Sequence, residues 1–559
     1  MSAETSPPPD LTTVGGEPVA VERQARGTTD DTVTVASWTM VSRVTGLVRI
    51  IVIAAVLGPT YLGNAFQAIN QMPNLTYQAL TGSLLSMMLV PRLVPHVDTS
   101  NHDDVDRFAG GFLGMAIVGF TALTLAAVLA GPLLLRLFTI GVHNAGLAGA
   151  QRRAGWILLV TVMPQVILYS VAGTGEAVMN ANGKFALAAA APALENVGVI
   201  AVMLVYLVLY GRGSTVNSVR TPELLLLGLG STAAVVLHAS AQWWGAHRVG
   251  VTLLPRFGWR DPELRQLARD IVPSAGYTAL NSARYFGMLV VANLVPGGVI
   301  AFQLALNFLA LPVALAAWPT SVAMLPVLSR LHLAEKKRRF REELVGGTAI
   351  TFFLIIPAAL AYLVLAVPLA RAVAYGAMSS AQGIRLIEAS LAALAIGMLG
   401  EAGSVVATHA AYARGDARSA LRSMVLRTVV SGVGMVAALL FTSGIAVVVV
   451  LGISVSVGNL LGTWYLARVL SADLPSGDAR LGPPLLRAGV ASALMIVPAY
   501  LLASHLPSVV ALPGKHLAAL LLASAVGLVA YLGFQKALGS EELESLRGGF
   551  GRMLLRSSP

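Results

Sequence analysis

The chain has 559 residues, 56% of them hydrophobic and 12% charged, with a formal net charge of +11 and no cysteine. Soluble domains carry roughly 25% charged residues, so a soluble globule of this composition would have nowhere to put its apolar surface. The missing cysteines exclude disulfides, thiolate metal sites and cysteine nucleophiles, and basic residues held in short loops between long apolar runs point to membrane topology rather than to nucleic acid.

Residues 1–33 are polar, carry Pro7, Pro8 and Pro9, and lack an apolar core with a cleavage site; they read as a disordered cytoplasmic tail, not a signal peptide. Fourteen apolar segments follow, at about 34–57, 62–94, 108–138, 154–180, 185–210, 222–247, 270–295, 299–328, 344–370, 384–412, 418–440, 444–470, 485–507 and 514–536. Runs of this length span a bilayer as helices, and the alternating strands of a membrane barrel are absent. The expected fold is therefore all-α and polytopic, with about 14 transmembrane helices. Segments 2 and 8 are longer than a span requires and contain Pro73 and Pro312, which predicts kinks or interfacial stretches.

The connections set the orientation. Arg248, Arg256, Arg260, Arg265 and Arg269 follow segment 6, while Arg330, Lys336, Lys337, Arg338, Arg339 and Arg341 follow segment 8. Both runs follow even-numbered segments, and the positive-inside rule then places both termini in the cytoplasm. Arg152 and Arg153 fall on the opposite, outer side and run against the rule.

The chain also repeats. Segment 2 ends Ser86-Met-Met-Leu-Val-Pro91-Arg and segment 8 ends Ser321-Val-Ala-Met-Leu-Pro326-Val; segment 4 leaves through Asn180-Ala-Asn-Gly183-Lys and segment 10 through Tyr412-Ala-Arg-Gly415-Asp. Both offsets are near 235 residues, or six helices, and an even number of helices makes the repeat parallel. The expected organisation is an N-lobe at 34–247, a cytoplasmic linker at 248–269, a C-lobe at 270–471, two further helices at 485–537 and a cytoplasmic tail at 538–559. Two facing lobes imply a central cavity and alternating access.

Charges within spans are costly and usually face a cavity or a partner. Arg43 and Arg49 lie in segment 1, about 120° apart around a helix. Arg284 lies near the start of segment 7, the repeat equivalent of segment 1. Three arginines near a lobe interface would suit a diphosphate, which guanidinium binds bidentately; snorkelling of Arg43 and Arg284 to headgroups is the competing reading. Glu176, Glu195 and Glu401 also sit in apolar context, as pairing partners for the arginines or as coupling groups. Asn64, Asn74 and Asn307, with Gln67, Asn70 and Gln303, add polar groups to segments 2 and 8, either lining a cavity or bonding helices together. His238 and His409 read as packed, and Gly110 with Gly114 as a helix-packing pair. No metal spacing, phosphate loop or nucleophile elbow occurs, so neither a cofactor nor an enzyme activity is expected.

Several of these runs together resemble the MurJ/MviN family of lipid II flippases, within the multidrug/oligosaccharidyl-lipid/polysaccharide exporter superfamily. Ser42-Arg43-Val44-Thr45-Gly46-Leu47-Val48-Arg49 is similar to the family's S-R-x-x-G-x-x-R, and Met72-Pro73-Asn74-Leu75 to its L-P-N-L. Met163-Pro164-Gln165, Asn180 through Phe185 and Ala191 through Val197 resemble its fourth and fifth helices. Leu325-Pro326-Val-Leu-Ser329-Arg330 resembles L-P-x-L-S-R, and Ala411 through Arg418 resembles F-Y-A-x-x-D-T-R. The resemblance covers about residues 34–540. It implies fourteen helices, a cationic cavity between two lobes, a lipid-tail groove on the last two helices, and carriage of lipid II to the outer leaflet of the inner membrane, with Arg43 and Arg49 at functional positions. Membrane lipids and wall-synthesis proteins are the implied partners. The chain departs from the pattern at Asn64, where many members have an acid, at Tyr77 and Gln78, where many have arginines, and at Asn307, where an arginine falls. Arg284 would then supply part of the missing charge. Another polyprenyl-diphosphate glycan, or a soluble amphiphile, stays open as cargo.

Overall fold

Leucine, valine and alanine fill long stretches of this chain, and in a bilayer such stretches must satisfy their own backbone, which leaves the helix as the available form. A computed structural model describes residues 18–80, 84–98, 102–475, 477, 479–509 and 514–547. The first half folds as α1 (Pro18–Leu57), α2 (Tyr61–Leu80), α3 (Leu84–Asp98), α4 (His102–Leu129), the short α5 (Gly131–Phe138), α6 (Ala145–Val162), α7 (Gln165–Ala181), α8 (Phe185–Tyr210) and α9 (Thr221–Arg248). The second half gives α10 (Pro262–Ala292), α11 (Gly298–Leu333), α12 (Lys337–Val364), the short α13 (Ala366–Val373), α14 (Ala381–Ala395), α15 (Gly397–Ala413), α16 (Ala417–Phe441) and α17 (Ile445–Ala472). Two further helices, α18 (Gly482–Val509) and α19 (Lys515–Ala537), complete it.

Among the described residues, eleven helices are long and apolar enough to cross a membrane, or twelve if α14 and α15, bent by 46°, count as one span. The expected fourteen is not reached. The apolar segments that fall short are 62–94, which forms α2 and α3, and 270–295, which lies in α10. Their polar load is the reason: α2 carries Asn64, Gln67, Asn70, Gln71 and Asn74, and α10 carries Asn281 and Arg284. Both helices lie where the lobes meet; Asn64, Gln67 and Arg284 are buried against protein, while Asn281 stays exposed. A second departure is at the start, where α1 reaches back to Pro18 through much of the stretch read as a tail. Proline opens a helix readily because its missing N–H has no partner to lose there. Residues 1–17 lie outside the described residues.

The repeat is visible in the architecture. The short helices α5 and α13 begin and end about 235 residues apart. The fourth span of each half is broken, at Met163–Pro164 between α6 and α7 and at Ile396 between α14 and α15. In the first half α8 packs between α1 and α9; in the second α17 packs against α14, α15 and α16. Between the halves, α2 touches α10 and α11, and α1 touches α11. The α18–α19 pair rests on α12 and α13, with Tyr531 Oη donating to Phe353 O at 2.5 Å.

The halves are clamped at one end. Asn64 is fully buried; its Nδ2 donates to Val295 O at 2.8 Å and to Asn293 Oδ1 at 3.1 Å, and its Oδ1 accepts from Val299 N at 3.0 Å. Gln67 donates to Gln303 beside it. Gly297, at φ +80, lets this turn touch the first half: a Cβ there would lie 2.3 Å from Pro59 Cα. At the other end the 248–269 linker folds back on α4. Gly110 and Gly114, read as a helix-packing pair, instead receive this loop: Arg256 N donates to Gly110 O at 2.9 Å, and a Cβ on Gly114 would sit 2.0 Å from Arg256 O.

Candidate substrate cavity and its two charge networks

The arginines expected to converge on one cavity stand in three settings. Arg43 is exposed on α1. Arg49, six residues deeper, turns toward α8, where Glu195 follows Pro192. Its Nη1 lies 3.2 Å from Glu195 Oε1, and both side chains keep only about 15% of their surface. Tyr169 Oη on α7 donates to the same oxygen at 3.2 Å, and His238 Nδ1 on α9 lies 3.2 Å from Oε2. Both carboxylate oxygens are thus occupied, and His238, read as merely packed, is a partner of the acid. Asn196 ties the helices together, its Nδ2 donating to Ser42 O at 3.1 Å and Thr45 Oγ1 at 3.2 Å. Arg49 Nε is buried without a hydrogen-bond partner.

Arg284 sits inside the second half, 8% exposed, on α10. Its Nη1 donates to Asn459 Oδ1 on α17 at 3.1 Å. The same oxygen accepts from Arg427 on α16, at 3.2 Å from Nε and 2.8 Å from Nη2. Arg427 Nη1 also donates to Ser404 Oγ on α15 at 2.8 Å, and its Nη2 pairs with Glu401. Gly462 makes room for the Arg427 stem, since a Cβ there would lie 2.4 Å from Arg427 Cγ.

Sequence reasoning missed Arg427, although it lies inside the apolar run 418–440 and meets the criterion that singles out Arg49. Arg418 and Arg422 upstream disguise it as the end of a basic helix start. Asn64 belongs to the clamp and is not near the arginine networks. Asn74 accepts from Gln78 Nε2 at 3.0 Å, and Asn307 Nδ2 donates to Gln303 O at 2.9 Å, each within its own helix. Glu176 is half-buried on α7. His409 packs as expected, with Trp318 edge-on at 5.5 Å. No cluster of three His, Asp or Glu able to hold a metal occurs among the described residues.

A repeated bundle of membrane-length helices in two halves, each holding a buried charge network, defines a polytopic membrane transporter. The chain belongs to the MurJ family: the family model described as "Lipid II flippase MurJ" matches residues 53–529. A relative named "Probable lipid II flippase MurJ", from Vibrio cholerae serotype O1, is 25% identical over 396 residues, 69% of this chain and 73% of that protein. The solved structure titled "Lipid II flippase MurJ, inward closed conformation" shares the fold at TM-score 0.70 and 16% identity, covering 90% of this chain and 98% of that one. An inward-facing multidrug transporter of the MATE family follows at TM-score 0.62 and 16% identity, covering 79% of this chain and 98% of that one.

Proposed function

We propose that this protein carries lipid II from the inner to the outer leaflet of the bacterial inner membrane by alternating access, with both termini in the cytoplasm and no chemical step of its own. Membership of the MurJ family over residues 53–529 carries the cargo assignment. The geometry supports a route for the diphosphate. Arg43 is exposed, and Arg49 lies deeper with Nε unpartnered. An incoming diphosphate competes with Glu195 for Arg49, while His238 and Tyr169 remain to hold the acid. Arg284 and Arg427 hold positive charge in the second half and attract the diphosphate from a distance. The disaccharide-pentapeptide crosses between the lobes while the tail stays in lipid along α18 and α19. Membrane potential or an ion gradient drives the cycle, and wall-synthesis proteins supply and remove the cargo.

Depletion of the protein in its host, with externally accessible lipid II counted by an outside probe, tests the assignment. Accessible lipid II should fall while total lipid II rises. Unchanged exposure would leave the fold standing and move the cargo to another polyprenyl-linked glycan. Truncation after residue 480 separates a lipid cargo from a soluble amphiphile: a folded but inactive protein is expected. Retention of full flipping by Arg49→Ala would remove that residue from the route.

A further inference from the structure

Arg152 and Arg153 are charges that the topology leaves unexplained, and the structure brings a third arginine to them. Arg136 on α5 and Arg152 and Arg153 on α6 line a cavity of about 470 Å³ together with Leu135, Trp156 and Ile157. Arg152 with Trp156 and Arg153 with Ile157 are four apart, so each arginine shares a helix face with an apolar side chain of the lining. Close contact between the helices does the rest: a Cβ on Gly155 would lie 2.8 Å from Leu135 Cδ2, and one on Gly131 2.6 Å from Leu159 Cδ2.

The three guanidiniums have no carboxylate to balance them. Among the described residues none of the three is ion-paired, and Arg152 reaches only Thr139 Oγ1, at 3.4 Å. Like charges around one cavity repel, and an anion between them removes that cost. The surroundings say where the anion comes from. Leu133, Leu137 and Ile140 are exposed beside Arg136, and Trp156 is 39% exposed, as suits a side chain at the lipid–water interface. The cavity thus opens on the bilayer surface.

The second half provides an internal comparison. About 235 residues on, Arg371 on α13 replaces Arg136, but Ile387 and Glu388 on α14 replace the arginine pair. There α19 packs on α13. One half therefore covers this face with its own helix and has an acid, Glu388, in place of one arginine; the other leaves the face open with three arginines.

We propose that the α5–α6 cavity binds the phosphate headgroup of a net anionic lipid in the leaflet at that end of the bundle, with the lipid's chains along Leu133, Leu137 and Trp156. That leaflet is the outer one in the topology proposed above, the single element borrowed from that reading. Lipid binding is read directly and does not depend on flipping, so the two readings fail separately.

Native mass spectrometry of the full-length purified protein tests the site with phosphatidylglycerol, phosphatidylcholine and inorganic phosphate. The triple variant R136Q/R152Q/R153Q should bind phosphatidylglycerol at least about tenfold more weakly than the parent. R136K/R152K/R153K should keep most of the binding, and R371Q all of it. If the triple variant does not fold, the exposed single change R153Q is read instead, with a loss of about threefold. Equal phosphatidylglycerol binding by the glutamine variants overturns the site. Equal retention of phosphatidylcholine, an equal loss in R371Q, or displacement by inorganic phosphate at matched concentration overturns it too, the last pointing to a free anion.

Discussion

The two lobe centres solve one problem, a charge inside a helical bundle, in opposite ways. In the first an acid is the hub: Glu195 takes Arg49, Tyr169 and His238 from three neighbouring helices. In the second a base is the hub: Arg427 takes Asn459, Ser404 and Glu401, and Arg284 shares its asparagine. The helices involved are repeat equivalents, the first, fourth, fifth and sixth span of each half. The repeat therefore fixes where polar groups enter the core and leaves their sign free. The first centre has one arginine for one glutamate. The second has two arginines for one glutamate and is positive. Reversibility differs as well. Glu195 keeps two partners when Arg49 leaves, whereas Arg427, 3% exposed, is enclosed by everything it touches. The arginine of the first centre has one partner, and the central arginine of the second has three.

Arg427→Ala should therefore be the most damaging change. It removes the hub and leaves Glu401 facing Arg284 through a void; with the Glu401 side chain 30% exposed, the cost is about 3 kcal/mol, the lower end for breaking a buried pair. The readout is the unfolding midpoint of the purified protein, and a midpoint equal to that of the parent would break the contrast. Arg427→Met combined with Glu401→Gln should recover part of the loss, since a neutral, filled core lacks the desolvation penalty. Glu195→Gln should cost less, about 1–3 kcal/mol, because the amide oxygen still accepts from Tyr169. A Glu195→Gln midpoint as low as that of Arg427→Ala would mean that both centres are structural. Asn64→Ala strips the clamp of its bonds to Val295 and Val299, also about 1–3 kcal/mol, but at the lobe interface. Its signature is opening. A single cysteine at Ala377, which packs on Gly58 across that interface, should react faster with a thiol reagent in the Asn64→Ala background. The natural chain has no cysteine to confuse the signal.

Much of the fold was legible because apolar run length and loop charge are properties of the chain alone. Helix entry near Phe185 and Ala417 and the six-helix repeat follow from local composition and from Gly183 and Gly415, whereas the broken fourth spans were not legible: proline pointed to segments 2 and 8, and the break at Ile396 carries no proline. The span count was less legible, since α2 and α10 are held by protein contacts that offset their polar load. Of the site, Arg49 and Glu195 were readable as charges out of place and pairing was one of the roles open to the acid, but which acid meets which arginine was not legible, because 146 residues separate the two. His238 and Tyr169 carry no signal of their own; an aromatic or imidazole ring in an apolar run reads as packing until an acid is found beside it. Asn64 stood between two readings, cavity lining or a bond between helices, and its contacts with Val295 and Val299 decide for the second.

The smallest contrast lies where each half enters its fifth span. Gly183 and Gly415 end the preceding helices at φ +68 and +71, a left-handed stop that glycine adopts without strain. The next residue precedes the following helix with nearly the same backbone, φ −106 and ψ 77 at Lys184, φ −92 and ψ 64 at Asp416. Only Asp416 caps its helix, Oδ1 accepting from Ser419 N at 3.0 Å. Hydrogen bonds from Ser419 outweigh partial desolvation and hold the Asp416 carboxyl below its ordinary range. The folded-state value is thus the lower one, so the contribution is complete above the ordinary carboxylate range and is lost as pH falls through the depressed value. Asp416→Ala should cost about 1 kcal/mol near neutral pH and less in acid, while Asp416→Asn should keep the cap and lose the pH dependence. Because the two backbones match, Lys184→Asp should gain a cap for α8 and raise the midpoint by a similar amount, about 1 kcal/mol, with the same loss in acid. A gain at Lys184 equal to the loss at Asp416 would show that the repeat conserves the cap's geometry independently of its chemistry, as it does in the two lobe centres. A loss at Asp416 with no gain at Lys184 would confine that rule to the buried networks.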